Sequence, residues 1–167
     1  MQESDHILPD VLTPNLRVVF CGTAASTISA QRGAYYANPT NRFWGTLYEI
    51  GLTPRLLLPS EFRTVTDYGI GLTDLVKYRS GQDVVLRRED FDAAGLRAKI
   101  ERYQPRVLAF DSKNAAQMFY GHKVDYGRQA DPFGVTTVFV LPSTSGAARK
   151  FWDVTQWFAL AEWVKSL

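Results

Sequence analysis

Three short apolar runs set the limits on what this chain can fold into. They are residues 17–21 (RVVFC), 107–110 (VLAF) and 134–141 (GVTTVFVL). Such β-branched and apolar runs, with little polar alternation, suit strands that are covered on both faces. Between and after them lie segments with apolar residues at helical spacing. Asn41 or Thr40 offers a cap for a helix through Phe43, Leu47 and Ile50, ended by Gly51. Residues 88–103 carry Phe91, Leu96 and Ile100 on one side, and Pro105 stops them. Residues 112–119 read as a helix, and a C-terminal helix presents Phe151, Val154, Phe158 and Ala161. Residues 59–65 read as a shorter helix, and residues 68–76 (YGIGLTDLV) as a Gly-punctuated loop entering a turn or short strand. Strands that alternate with helices predict an α/β fold, a three-layer α/β/α arrangement around a central, mostly parallel sheet. No repeat, low-complexity tract or long linker interrupts residues 1–167, so one domain is expected.

Composition narrows the class of function. Of 167 residues, 46% are apolar and 22% charged, as in a globular protein with a real core. Cys21 stands alone, so no intramolecular disulfide can form. With one cysteine and two histidines, His6 and His122, a Cys/His zinc centre is not expected, nor is any other metal or cofactor. No apolar run approaches the roughly 18–20 residues of a membrane span. The first ten residues, MQESDHILPD, lack the basic start and apolar stretch of a secretory signal, so the cytoplasm is the expected compartment. A net charge of +2 permits an anionic partner without demanding one.

In a parallel α/β sheet the site lies beyond the carboxyl ends of the strands. After the first strand stands GTAAS, residues 22–26, which is neither G-x-G-x-x-G nor a Walker A loop. After the third stands PSTSG, residues 142–146, which is not a G-x-S-x-G nucleophile elbow. Ser143 or Ser145 would need His6 or His122 as base, and neither has a supporting motif, so a small-molecule hydrolase is the weakest reading. Residues 35–44, YYANPTNRFW, gather two tyrosines, two amides and an arginine on one irregular stretch. Aromatics offer a face to a flat heterocycle and amides read its edge. The same aromatics also suit a core or its rim. Asp74 is a lone acid in an apolar segment, either a functional carboxylate or a turn residue bonding its own backbone. Lys113, just after the second strand, is a candidate for a phosphate contact or an ordinary surface lysine.

Taken in order, LRVVFCG, YYANPTNRFW, YGIGLTDLV and LPSTSG resemble the uracil-DNA glycosylase superfamily. Their order and spacing are similar to its mismatch-specific thymine/uracil branch. The YYA-x-P-x-N-x-FW and PSTS variants resemble the hypoxanthine-DNA glycosylase branch. The resemblance runs from about residue 8 to the last helix. It implies a monomeric enzyme that flips uracil, or another deaminated base such as hypoxanthine, out of DNA and hydrolyses its glycosidic bond.

Residue by residue, the resemblance implies that Asn41 and Asp74 are catalytic. Asn41 would hold water or read the base edge, and Asp74 would activate water or stabilise the sugar cation. For Asn41 the bland alternative is a helix cap. Tyr36 would stack on the flipped base, and Gly22, Thr23 and Ser143 would line the base site. Ser26, Lys113, Ser145, Gly146, Ala147 and Arg149 would contact DNA, with Ala147 and Arg149 falling where the family inserts a wedge into the duplex. Two departures stand out. Ala24 occupies the position of the mismatch branch's water-positioning asparagine, and Ser143 replaces the asparagine that opens its second motif. Either the catalytic group has moved, or the chain is a DNA-damage-binding module that no longer cleaves.

Overall fold

A computed structural model describes residues 2–167. Five strands form one sheet in the order β2-β1-β3-β5-β4. The strands are β1 (Val18–Ala25), β2 (Ile70–Ser80), β3 (Val107–Phe110), β4 (Gly127–Arg128) and β5 (Thr137–Val140). Neighbours along β2-β1-β3-β5 are parallel, and β4 pairs antiparallel with β5 at the edge. Helices α1 (Thr27–Arg32), α2 (Phe43–Glu49), α3 (Ala93–Tyr103), α4 (Lys113–Tyr120) and α5 (Val154–Lys165) complete the α/β fold.

The period-2 alternation of the strands divides the core into two layers. Val18 and Phe20 of β1, Ile70 and Leu72 of β2, and Val107 and Ala109 of β3 point to one side. There they meet Phe43 and Leu47 of α2 and Trp157, Leu160 and Val164 of α5. Val19 and Cys21, Leu108 and Phe110, and Val138 and Val140 point to the other side, against Leu96 and Ile100 of α3 and Ala115 and Phe119 of α4. The three-layer expectation therefore holds.

Several boundaries differ from those read along the chain. The first strand does not stop at Cys21 but continues through GTAA, because Gly22 and Ala24 pair with Asp74 and Val76 of β2. The segment read as a loop or short strand is the eleven-residue strand β2. Gly71 does not break it, since neighbouring chain supplies the pairing: β1 on one side and an isolated bridge from Val11 to Leu72 on the other. The helix expected over residues 88–103 begins at Ala93, where the Asp92 carboxylate caps it by accepting from Gly95 N–H. The short helix near residue 59 is a 3-10 helix, Pro59–Tyr68. On α5 the buried face is Trp157, Leu160, Ala161 and Val164 while Phe158 is exposed; Phe151, expected on the same helix, instead ends the 3-10 helix Gly146–Phe151 and is exposed.

Trp157 ties the core to the loop after β5. Its ring stacks on Phe20 at 5.7 Å, and its indole N–H donates to the Pro142 carbonyl at 3.0 Å. Trp157→Ala leaves a large cavity and an unpaired carbonyl. It is expected to lower unfolding free energy by about 3–5 kcal/mol, as measured by urea denaturation.

Candidate active site

Strand register brings three residues of the carboxyl edge together. Gly22 lies opposite Asp74, and Cys21 opposite Phe110, so Asp111 follows beside Gly22 on the other flank. Alternation turns Gly22, Asp74 and Asp111 to the same face as Phe20, Leu72 and Ala109. Both carboxylates then converge on the glycine. The point where a Cβ on Gly22 would sit is 3.3 Å from Asp74 Oδ1 and 3.3 Å from Asp111 Oδ1. Any larger residue at 22 would fill this notch. Asp74 is 7% exposed and Asp111 6%. Asp74 sits within the β2 ladder, so it is not a turn aspartate.

The two carboxyls have different surroundings. Asp74 Oδ2 lies 3.5 Å from the Lys77 ammonium, which reaches Asp10 at 2.9 Å. Asp10 is bound in turn by Lys99 at 2.7 Å and by the Thr73 hydroxyl at 2.7 Å. Lys77 also donates to the Tyr35 hydroxyl at 3.1 Å. Burial would push Asp10 up, but Lys77 and Lys99 reverse this and hold its carboxyl below the usual range. Burial raises Asp74, with Lys77 opposing the rise. Among the described residues, no cation lies at contact distance from Asp111. Burial raises its carboxyl to about 7; the Tyr36 hydroxyl pulls it down, and repulsion from Asp74 and Asp83 pushes it up.

Tyr36 completes the cluster. Its hydroxyl donates to Asp111 Oδ2 and its ring stacks on Phe43 with centroids 3.8 Å apart. Its backbone has φ +52°, a left-handed conformation uncommon for so large a residue. The N-cap of α2 is Arg42, without a side-chain cap bond, and not Asn41 or Thr40; Asn41, one residue earlier, accepts from Phe43 N–H at 2.9 Å through Oδ1, and its Nδ2 has no partner among the described residues. The loop after β5 is fastened to this stretch: Arg42 N–H donates to the Thr144 carbonyl at 2.9 Å. Gly146 is required by the same contact, since a Cβ there would lie 2.7 Å from Thr40 Oγ1.

The remaining expected residues take up places around this centre. Thr23 donates to Asp83 at 2.7 Å, and Asn114 donates to the other oxygen of Asp83 at 2.8 Å. Ser26 caps α1 by accepting from Ser29 N–H at 3.1 Å. Ser143 accepts from Ser145 N–H, and Ser145 from Ala147 N–H. Ala147 and Arg149 are exposed. The Lys113 ammonium rests 4.4 Å from the centre of the Tyr126 ring. Asp111, Lys77, Asp10 and Asp83 were not singled out from the sequence. Asp111 had a signal, being an acid placed directly after an apolar strand. Lys77 and Asp10 had none, because only folding brings them together.

A raised carboxyl makes stability depend on pH. Asp111 keeps its proton in the folded chain where the unfolded chain, at 3.8, has lost it. The associated stability is complete below pH 3.8 and is lost as pH rises towards about 7. Asp111→Asn removes this loss. Its melting temperature relative to wild type is expected to be higher at pH 8 than at pH 4, as measured by scanning calorimetry.

Comparison with known proteins places this edge in a family context. A solution NMR structure from Methanosarcina acetivorans, of a protein provisionally described as a uracil DNA glycosylase, superimposes with a TM-score of 0.63. It is 24% identical, and the match covers 95% of this chain and 96% of that one, which establishes a shared fold. The family model described as Uracil DNA glycosylase superfamily matches residues 9–163. That span includes all five strands, the paired carboxyls and both loops that meet over them, and on it the chain belongs to the uracil-DNA glycosylase superfamily.

Proposed function

We propose that this protein is a monofunctional DNA glycosylase that removes deaminated bases, uracil first and hypoxanthine next, leaving an abasic site. The observation that carries the reading is the carboxyl pair over Gly22, with Tyr36 beside it, at the strand ends. Excision requires a base to leave the stack, at a cost of a few kcal/mol. The glycosidic bond then breaks with positive charge on the sugar and negative charge on the departing base. A carboxylate held as an anion near the nucleotide stabilises the sugar or orients water. Asp74 has a lysine behind it to support that charge. A donor aimed at the leaving base contributes about 3–4 kcal/mol, and the Asn41 amide has a free N–H for this. Tyr36 supplies an aromatic surface for the flipped base. The 143–149 loop, with its hydroxyls and Arg149, grips phosphates, so binding should weaken as salt rises.

Within the superfamily, the chain reads as a member near the mismatch-specific branch with hypoxanthine-branch features in its Asn41 and Ser143 motifs. A second reading keeps DNA-damage binding without cleavage. It is favoured by Ala24, whose methyl cannot hold water in the way an asparagine would.

Labelled oligonucleotides carrying uracil, hypoxanthine or a thymine mismatch, treated with alkali after incubation, separate the two. Cleavage at uracil or hypoxanthine is the expected result. Intact strands with salt-dependent binding would favour the non-cleaving reader. Asn41→Ala and Asp74→Ala are each expected to lose at least tenfold in rate in single-turnover assays while retaining DNA binding. Unchanged rates in both would remove their assigned roles.

A further inference from the structure

We infer that Asp111 in its neutral acid form and Asp74 as an anion together read the N–H/C=O edge of a deaminated base, and so distinguish it from the parent base. This rests on the proposed recognition of deaminated bases in DNA. It concerns how the base is chosen, and adds a duty at the base edge to the charge that Asp74 already supplies.

The geometry begins with the notch over Gly22. Asp74 Oδ1 and Asp111 Oδ1 both face it, and neither oxygen has a hydrogen-bond partner among the described residues. Both side chains are more than nine-tenths buried. The other oxygen of each is engaged, Asp74 Oδ2 with Lys77 and Asp111 Oδ2 with the Tyr36 hydroxyl, which orients the free oxygens inward. Two anions facing one small space repel, and a shared environment resolves this by leaving one of them protonated. The surroundings decide which. Lys77, itself anchored by Asp10, lies against Asp74. Asp111 is faced by Tyr36 from the loop before α2, by Asp74 from β2 and by Asp83 from the turn after β2, while the Cys21 thiol of β1 lies in the opposite layer. On α4, Lys113 is turned onto Tyr126. None of these places a cation on Asp111, and its carboxyl lies at about 7.

A neutral acid beside an anion offers one O–H donor and one acceptor. Deamination turns an exocyclic amine and a ring acceptor into a carbonyl and a ring N–H. Uracil and hypoxanthine therefore present acceptor then donor, where cytosine and adenine present donor then acceptor. Asp111 O–H meets the carbonyl and Asp74 meets the N–H. The parent base would put its amine against the acid proton and its ring nitrogen against an anion. Above pH 7 both groups become acceptors and the discrimination weakens.

The test measures equilibrium binding of two single-stranded oligonucleotides, identical except for one uracil or one cytosine, at pH 6 and pH 8. Excision of the uracil is followed in parallel. Wild type is expected to prefer uracil at pH 6 and to lose up to about tenfold of that preference at pH 8, following the fraction of neutral Asp111. Asp111→Asn, whose amide is a permanent donor, is expected to make the preference independent of pH. Asp111→Ala is expected to lose more of it than Asp111→Asn at pH 6. Circular dichroism of each variant reports folding. A preference that rises with pH, or that vanishes equally in both variants while they remain folded, would overturn the inference and point to Asp111 as a base towards water. A pH-dependent preference without excision would uphold the inference and remove the glycosylase reading. Excision with a pH-independent preference in wild type would do the reverse.

Discussion

Parallel pairing of β1 with β2 and β3 is the constraint on which the site depends. It sets Gly22 level with Asp74 and Asp111 and turns all three to one face. A shift of one residue in either pairing would send a carboxyl to the opposite layer, among Leu96, Ile100 and Phe119. The apolar residues upstream hold the register. Phe20, Leu72 and Ala109 belong in one core layer and Cys21 and Phe110 in the other, so misregister would expose or invert both. The packing that stabilises the sheet therefore also places the chemistry.

That arrangement concentrates charge in a small volume. The chain Lys99, Asp10, Lys77 and Asp74 alternates in sign from α3 inward. Breaking a buried ion pair of this kind is costly because it leaves an unpaired charge behind. Asp111 stands outside that alternation and has a phenol for a partner instead of a cation. The result is two carboxyls of the same residue type, close together, of which one has a lysine beside it and the other a phenol. The N-terminal segment contributes here through Asp10, and also through the Pro9 carbonyl that accepts from the Tyr35 hydroxyl at 3.0 Å.

The second constraint is the joining of two loops distant in sequence. Residues 35–44 and 142–146 meet through the Arg42 N–H bond to Thr144, the close approach of Thr40 to Gly146, and Trp157 bound to Pro142. Asn41 accepts from Phe43 N–H with one end of its amide while the other has no partner among the described residues, so this local bond and a role towards a ligand are compatible. Thr23 and Ser26 make structural bonds as well, to Asp83 and to the start of α1.

The fold class was legible in the chain because buried parallel strands leave continuous apolar runs, and helices leave a 3.6-residue period. The span of β3 was legible for the same local reason, whereas the site motifs were legible only by their resemblance to a known family. Strand β2 was harder to read: Gly69 just before it and Gly71 within it look like a loop until β1 and Val11 supply the pairing that holds it extended. On the site, sequence alone pointed to Gly22, Tyr36 and Asp74, each carried by a motif. It did not single out Asp111 as Asp74's counterpart, nor Lys77 and Asp10 as the groups that bias which carboxyl keeps its charge. Those assignments depend on burial and, apart from the Lys77–Asp74 pair within β2, on neighbours more than thirty residues away, and electrostatics inside a protein are set by distance in space and access of water, which only the tertiary structure decides.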